Sequence, residues 1–223
     1  KEGFLAQKSQ VIYNGEDTDK FKPNRQKKNL LRKKYNIPQE AFTMIIVSRI
    51  KNLRNKGHQH LLDVLKNYEV SKKWHLVVIG KGNGFSDLKK KIKEYHLQDR
   101  VHLLGHKTDV ENYIDIADVM VLPSYFETFG LVLAEGMAMQ KPAIAFNVGG
   151  IGEVISDKET GFLVKYNDDD DLVNKINILA QDKDLCSKMG VIARKKVEKD
   201  FANQIMIKKI IEVYNEIIDN KTN

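Results

Sequence analysis

Tyr125-Phe-Glu-Thr-Phe-Gly-Leu-Val-Leu-Ala-Glu135 carries the strongest structural and chemical signal in this sequence, because it contains two carboxylates, Glu127 and Glu135. The apolar, β-branched run before it stops at Pro123, which is typical of a buried strand. The Ala-, Leu- and Met-rich stretch opened by its glycine predicts a helix over residues 130–139. A ligand in such a strand-loop-helix unit lies where the strand ends and the helix offers free N–H groups.

The spacing of the two glutamates separates two kinds of chemistry. If both lay on one helix, eight residues would place them about 12 Å apart at about 1.5 Å per residue. A glycosidase needs its two carboxylates within roughly 5 to 9.5 Å, so we expect Glu127 and Glu135 to hold different parts of one elongated ligand instead. A carboxylate accepts two hydroxyl hydrogen bonds at once, which suits a ribose or a sugar ring. Taken singly, each glutamate is more simply explained as a solvated side chain.

Strand candidates alternate with helical patterns along the chain. Strands are predicted at residues 42–47, 74–79, 101–104, 119–122, 141–146 and 160–164, with a further short strand at 11–13. Helices are predicted at residues 25–35, 58–67, 85–95, 109–117, 130–139, 182–198 and 203–219, and the acidic run 168–171 suits the N-cap and first turn of another. This alternation predicts an α/β fold, a Rossmann-like parallel sheet of about six strands with helices on both faces.

Several ordered motifs resemble the retaining glycosyltransferases of the GT-B fold, in particular family 4. The segment from Glu127 to Glu135 is similar to the E-x7-E motif of that family. The other matching stretches are Val11-Ile-Tyr-Asn-Gly-Glu-Asp-Thr-Asp-Lys-Phe-Lys-Pro23, Ala117-Asp118-Val-Met-Val-Leu-Pro-Ser124, Val148-Gly-Gly150 with Glu153, and Thr160-Gly-Phe-Leu-Val164. The resemblance covers nearly the whole chain and implies the C-terminal half of a GT-B fold, which binds the nucleotide-sugar donor.

The resemblance also implies a division of the chain. Residues 1–10 would be a linker from a missing N-terminal domain, residues 11–200 the donor-binding domain, and residues 201–223 a C-terminal helix that faces the missing domain. The chain begins at Lys1 without Met, in a segment that resembles the middle of a family member, so we expect a fragment. Part of the apolar face of the last helix should then be exposed, as a partner interface is.

A cationic loop follows the first predicted sheet strand and reads Ser48-Arg-Ile-Lys-Asn-Leu-Arg-Asn-Lys-Gly57. Cations between a strand end and a helix are suited to neutralising a diphosphate. The equivalent family loop reads roughly G-R-(L/I)-x-x-x-K-G, which implies that Arg49 and Lys56 bind the donor diphosphate. The loop here is about two residues longer, so Lys51 or Arg54 could take part instead, although Lys51 is better explained as a surface residue.

Further donor-binding residues are implied by the resemblance alone. Glu135 would bind the ribose hydroxyls and Glu127 the hydroxyls of the donor sugar. The backbone of Phe129, Gly130 and Leu131 would meet sugar or phosphate. The glycine-rich turn that begins at Gly80 would lie close to the nucleotide and His106 beside its base. The family usually has Pro where this chain has Gly152, which leaves the role of Glu153 open.

Composition limits the other possibilities. The formal charge of +7 would suit nucleic acid, an anionic membrane or a phosphorylated ligand, but the Lys and Arg are scattered and no aromatic residues interleave with them as stacking platforms. We therefore expect no nucleic-acid partner. Cys186 is the only cysteine, so a reducing compartment is expected, and no apolar run is long enough to span a membrane. His58 and His60 have no matching ligand cluster and are interpreted as ordinary polar residues.

The sequence thus predicts a glycosyltransferase donor domain that uses a nucleotide-sugar, most simply a UDP-sugar, without a metal or other cofactor. Its partners would be that donor and the missing N-terminal acceptor domain, with possible peripheral membrane contact of the parent enzyme. The expected location is cytoplasmic, at the inner face of the membrane where such contact exists. Two alternatives remain, a GT-B-type sugar-nucleotide epimerase domain and a basic module that binds nucleic acid or anionic membranes.

Overall fold

A six-stranded parallel sheet forms the centre of the molecule. The computed structural model describes residues 9–70 and 73–222. The strands are β1 (Phe42–Val47), β2 (Trp74–Ile79), β3 (Val101–Gly105), β4 (Val119–Leu122), β5 (Ala143–Phe146) and β6 (Gly161–Val164), in the spatial order β3-β2-β1-β4-β5-β6. Strands β2 and β3 are therefore added on one side of β1, and β4, β5 and β6 are added in turn on its other side.

Helices connect the strands and cover both faces of the sheet. They are α1 (Arg25–Lys34), α2 (His58–Asn67), α3 (Phe85–Glu94), α4 (Val110–Ile114), α5 (Leu131–Ala138), α6 (Ile151–Val154), α7 (Asp169–Gln181), α8 (Lys183–Asp200) and α9 (Asn203–Thr222). None of those helices, within the described ranges, combines the length and apolar content that a membrane crossing requires.

The buried strands explain why the sheet is parallel and central. All side chains of β2, β4 and β5 are buried, because helices pack on both faces and no side of these strands meets water. Strands β1 and β2 pair in register over their whole length, from Phe42 opposite Trp74 to Val47 opposite Ile79. The carboxyl ends of all six strands consequently lie along one edge of the sheet.

The predicted α/β architecture is confirmed, with six parallel strands and helices on both faces. The bounds of β1, β2, β4 and α2 agree with the prediction, and Asp168 caps α7 by accepting a hydrogen bond from the Asp171 N–H, as the acidic run 168–171 predicted. The short helix α6 was not predicted, and α4 covers less than the predicted residues 109–117. Residues 1–8 of the predicted linker lie outside the described part of the chain.

The predicted strand at residues 11–13 is wrong. The segment there does not join the sheet. It runs beside the start of α9, where a single bridge joins Glu16 to Ala202, and Gly15 packs against Asn203. The β-branched residues Val11 and Ile12, which suggested a strand, directly precede Tyr13. The ring of Tyr13 packs on Phe129 and Phe201.

The later turns of α9 carry exposed apolar side chains. Ile207, Ile211, Tyr214 and Ile217 are all exposed. The expectation that part of this apolar face is uncovered is therefore confirmed. Its interpretation as the surface facing another domain stays a prediction.

A group of charged side chains around the buried Arg32 lies at the amino edge of the sheet, opposite to the strand ends described above. Arg32 is only 2% exposed, and its guanidinium contacts Asp118 at 3.0 Å and donates to the carbonyls of Ile116, Pro38, Gln39 and Ala41. Burial by itself raises the pKa of the Asp118 carboxyl, but Lys28 and Arg32 outweigh it and the pKa is lowered. Arg32 thus ties α1 to the starts of β1 and β4.

Replacing Arg32 by alanine should destabilise the fold strongly. The variant removes the Arg32 guanidinium from Asp118, which keeps only Lys28 at 3.0 Å as a charged partner among the ion pairs described, and strips several buried carbonyls of a donor, which together costs about 3 to 5 kcal/mol. Urea unfolding measures the free energy of unfolding. The control is Lys208→Ala, which removes an exposed pair with Glu212 and should cost less than about 1 kcal/mol. Equal effects of the two substitutions would contradict the assignment of Arg32 as a structural tie.

Candidate functional site

The carboxyl edge of the sheet brings together loops that are far apart in the sequence. Residues 48–57 follow β1, residues 80–84 follow β2, and residues 123–130 follow β4. The first and third of these loops are joined directly, because the Tyr125 N–H donates to the Asn55 carbonyl at 3.1 Å. This is the edge at which open parallel sheets bind ligands.

An ion pair between Lys56 and Glu127 lies at the junction of those two loops. Lys56 Nζ is 2.6 Å from Glu127 Oε1, and the same oxygen accepts a hydrogen bond from Ser124 Oγ at 3.0 Å. Glu127 and Ser124 are buried and Lys56 is half-buried. The site therefore holds an anchored carboxylate and a cation within direct reach of each other, and a ligand there meets both charges.

The loop after β5 packs closely against the main chain of Glu127. A Cβ at Gly149 would lie 1.7 Å from the Glu127 carbonyl oxygen, and Gly149 has a φ of +54°. Only glycine allows this approach without displacing the Glu127 loop. The paired glycines of the Val148-Gly-Gly150 motif thus position the carboxylate through its own backbone.

Helix α5 begins at this loop and exposes its N-terminus to the same edge. Gly130 is the N-cap residue with a φ of +84°, and Leu131, the first helical residue, is exposed. The Phe129 ring turns away and packs against Tyr13 and Phe201, with 5.4 Å between ring centroids in each case. The Phe129 side chain is thus occupied by ring packing, and the predicted contact of its backbone with a ligand stays a prediction.

Glu135, on the second turn of α5, lies in a different electrostatic environment from Glu127. Burial first, and then Glu111, raise the pKa of Glu135 to about 6, although Lys20 opposes the shift. Glu16 is 9% exposed, and burial together with the nearby Glu135 raises the pKa of Glu16 to about 7. Lys20, which lies 3.8 Å from Glu111, lowers the pKa of both Glu16 and Glu135 and so opposes these two shifts.

Arg49, Gly80 and His106 lie at the carboxyl ends of β1, β2 and β3, on the predicted edge. Arg49 and His106 are exposed. Gly80 has a structural explanation of its own, because a Cβ there would lie 1.9 Å from the Ser48 carbonyl oxygen. The structure therefore places all three beside the site, while only Lys56 and Glu127 among the predicted residues are in direct contact.

Several residues of the site were not identified from the sequence. His58, interpreted there as an ordinary polar residue, is 2% exposed and lies 3.1 Å from Ser48 Oγ. Ser124 and Glu16 sit within matching motifs, but nothing in their local sequence indicates that they contact or approach the two glutamates. Glu153, whose role was left open, accepts a hydrogen bond from Tyr13 that raises the pKa of the tyrosine.

A cavity of about 500 Å³ lies between Asn55 of the loop after β1, Pro123 and Tyr125 of the loop after β4, and Tyr166 after β6, and its lining does not include Lys56 or Glu127. Tyr125, Phe146 and Tyr166 supply aromatic walls, and Arg54 and Asp63 supply charge. The volume is in the range of small-molecule pockets. Within residues 9–70 and 73–222, no three His, Cys, Asp or Glu residues form a group that could hold a metal ion.

Comparison with known proteins assigns the chain to a family. Residues 27–196 match the family Glycosyl transferases group 1. This match covers most of the chain, so the chain belongs to that family. The six-stranded parallel sheet with helices on both faces agrees with the GT-B fold that the motifs predicted.

Individual relatives agree with this assignment. N-acetyl-alpha-D-glucosaminyl L-malate synthase of Bacillus anthracis is 30% identical over 193 residues, which are 86% of this chain and 50% of the relative. A glycosyltransferase from Rickettsia africae ESF-5 has a TM-score of 0.87 at 30% identity, covering 95% of this chain and 57% of that one.

A second solved structure contains ligands. Anabaena HepE, in complex with UDP and glucose, has a TM-score of 0.86 at 25% identity, covering 96% of this chain and 58% of that one. The chain spans about half the length of the curated relatives it matches.

The raised pKa of Glu16 gives a pH-dependent prediction. Between its ordinary pKa of 4.5 and its folded pKa of about 7, the folded chain holds a proton that the unfolded chain has lost, so this residue makes stability fall as pH rises. In the Glu16→Gln variant the side chain at this position carries no charge at any pH, so it makes no pH-dependent contribution to stability. The free energy of unfolding of the variant, relative to wild type, should therefore increase by about 2 kcal/mol between pH 5 and pH 8.

Urea unfolding at a series of pH values measures this difference. Asp19→Asn is the matched control, because it removes an exposed carboxylate from the same loop. A Glu16→Gln difference that is constant from pH 5 to pH 8 would show that the Glu16 carboxyl is not protonated in the folded chain.

Proposed function

We propose that this chain is the donor-binding domain of a retaining family 4 glycosyltransferase. The enzyme would move a sugar from a UDP-sugar to a saccharide or lipid-linked acceptor. The family assignment supports sugar transfer, and the UDP and glucose in the HepE complex support the class of donor. The observation that carries the proposal is the contact between Lys56 and Glu127 at the carboxyl edge of the sheet.

In this proposal the two glutamates bind opposite parts of the donor. Glu127 accepts hydrogen bonds from hydroxyls of the transferred sugar, and Glu135 accepts them from the ribose. The N-terminus of α5, at Phe129, Gly130 and Leu131, meets the sugar or phosphate between them. A helix N-terminus favours such a position because its unpaired N–H groups and its dipole attract an anion.

The proposed catalytic residues are Glu127, Arg49 and Lys56. When the bond to the anomeric carbon breaks, negative charge develops on the departing diphosphate and the sugar becomes oxocarbenium-like. Arg49 and Lys56 would stabilise the departing charge, which is the task that a metal performs in other transferases, so we propose a reaction that is independent of metal. Gly80 and His106 would line the nucleotide side of the pocket.

The acceptor site would belong to an N-terminal domain of the same enzyme. Alone, the chain would bind the donor and transfer little or no sugar. The exposed apolar face of α9, which includes Ile211 and Tyr214, is suited to face that domain. We propose a cytoplasmic location, with the parent enzyme at the inner face of the membrane when its acceptor is lipid-linked.

Nucleotide titrations of the 223-residue chain test the proposal. Isothermal calorimetry should show saturable binding of UDP, with weaker binding of GDP and ADP. Arg49→Ala removes a charge-assisted bond to phosphate and Glu135→Ala removes the ribose acceptor, so each should weaken UDP binding roughly tenfold or more.

Lys51→Ala is the control, because Lys51 lies in the same loop and is exposed, and it should leave the affinity for UDP unchanged. If UDP does not bind, while an anionic polymer or vesicle binds in a strongly salt-dependent way that Arg49→Ala and Glu135→Ala do not affect, the chain is a basic binding module instead.

A further inference from the structure

A hydrogen bond joins the two ends of the cationic loop. Ser48 Oγ lies 3.1 Å from His58 Nε2, and these residues flank Arg49 and Lys56 in the sequence. Ser48 is half-buried and His58 is buried. Burial, followed by the charge of Lys56, lowers the pKa of His58 to about 4, so its imidazole is neutral near pH 7.

The environment of the imidazole indicates which nitrogen carries the hydrogen. A neutral imidazole has one N–H and one bare nitrogen. Nδ1 of His58 is buried and has no hydrogen-bond partner in the described part of the chain. A buried N–H without an acceptor is rarer in proteins than an unsatisfied acceptor, so we assign the hydrogen to Nε2, which donates it to Ser48 Oγ.

This assignment leaves the Ser48 hydroxyl hydrogen available. The oxygen accepts from His58, and among the described residues it makes no other side-chain hydrogen bond. Ser48 directly precedes Arg49 at the end of β1, and its carbonyl is held against Gly80. The family loop described above has glycine where this chain has Ser48, so the hydroxyl is a feature that the family motif does not supply.

We propose that the Ser48 hydroxyl is a further ligand of the donor diphosphate, and that His58 is the positioning residue that directs it. The inference rests on the proposed function, since it places the anion between Arg49, Lys56 and the end of β1. A hydroxyl that already accepts one hydrogen bond is a better donor to an anion, because linked hydrogen bonds polarise one another.

Binding of UDP and of uridine to the 223-residue chain tests the role of Ser48. Ser48→Ala and Ser48→Gly should each weaken UDP binding roughly tenfold, as expected for one hydrogen bond to a charged group. Neither should change the binding of uridine, followed by NMR chemical-shift titration, because uridine has no phosphate. Ser86→Ala, at an exposed serine of α3, is the matched control and should change neither affinity.

Two substitutions test the positioning role of His58. Gln presents an N–H donor at a reach similar to that of Nε2, so His58→Gln should keep UDP binding close to that of wild type. His58→Leu has a similar volume but no donor and should weaken UDP binding as Ser48→Ala does. If the leucine variant does not fold, as judged by its thermal melting, the two Ser48 variants still test the hydroxyl.

The outcomes separate this inference from the proposed function. If the wild-type chain binds no UDP, the proposed function fails. If wild type binds UDP and both Ser48 variants bind it equally well, the inference about Ser48 is overturned. A parallel loss of UDP and uridine binding would assign Ser48 a merely structural role, and equal losses for His58→Gln and His58→Leu would overturn the positioning role.

Discussion

The contact between Lys56 and Glu127 is the interaction on which the arrangement of the site depends. It joins the loop after β1 to the loop after β4. These two strands are neighbours at the centre of the sheet, with β2 and β3 on one side and β5 and β6 on the other. The pair is held at 2.6 Å in a half-buried position, where opposite charges attract more strongly than in bulk water. A main-chain hydrogen bond from the Tyr125 N–H to the Asn55 carbonyl also joins these two loops.

Backbone packing gives this contact its precision. Gly149 supports the Glu127 carbonyl from below, Gly57 allows the cationic loop to approach Pro123, and Gly80 allows the next loop to approach Ser48. Each glycine removes a side chain at a point where two loops meet. The charged side chains are thus displayed by a rigid set of loops, and binding groups on such a scaffold lose less freedom when a ligand arrives.

The two glutamates of the motif have different surroundings, although nine residues of sequence contain both. Glu127 is paired with a cation and with Ser124. Glu135 lies near Glu16 and Glu111, and its pKa is raised. At Glu127, a ligand that spans both glutamates meets a carboxylate whose charge is balanced by Lys56. At Glu135, the ligand meets a group of carboxyls, and its hydroxyl groups would relieve their mutual repulsion by hydrogen bonding.

The sequence predicted the sheet well because its signal is local. Strands such as β1 and β2 are buried on both faces, so each reads as a short apolar run with clear ends. The segment at residues 11–13 has the same local pattern, yet it does not join the sheet, and Glu16 just after it bridges to Ala202 instead. That choice is made by a contact almost 190 residues away in sequence, which local periodicity does not encode.

The same distinction applies to the site. The positions of Glu127, Glu135, Arg49 and Lys56 follow from motif spacing and from the rule that parallel strands end at one edge. The contacts of Ser48 with His58 and of Glu16 with its acidic neighbours depend on how loops fold over one another. A histidine two residues from another histidine in sequence gives no indication that one will be buried against a serine and the other will lie 2.7 Å from Asp169.

The buried titratable groups also determine how many protons the chain exchanges with water when it unfolds. At a pH between about 4 and 6.5, each buried histidine, His58 or His75, takes up a proton when the chain unfolds, because its pKa is about 4 in the folded chain and 6.5 ordinarily. Glu16 and Glu135 release protons on exposure, because their folded pKa values are about 7 and about 6. Uptake and release overlap in mildly acidic solution and largely cancel, so these four groups together give the intact chain little net sensitivity to acid there.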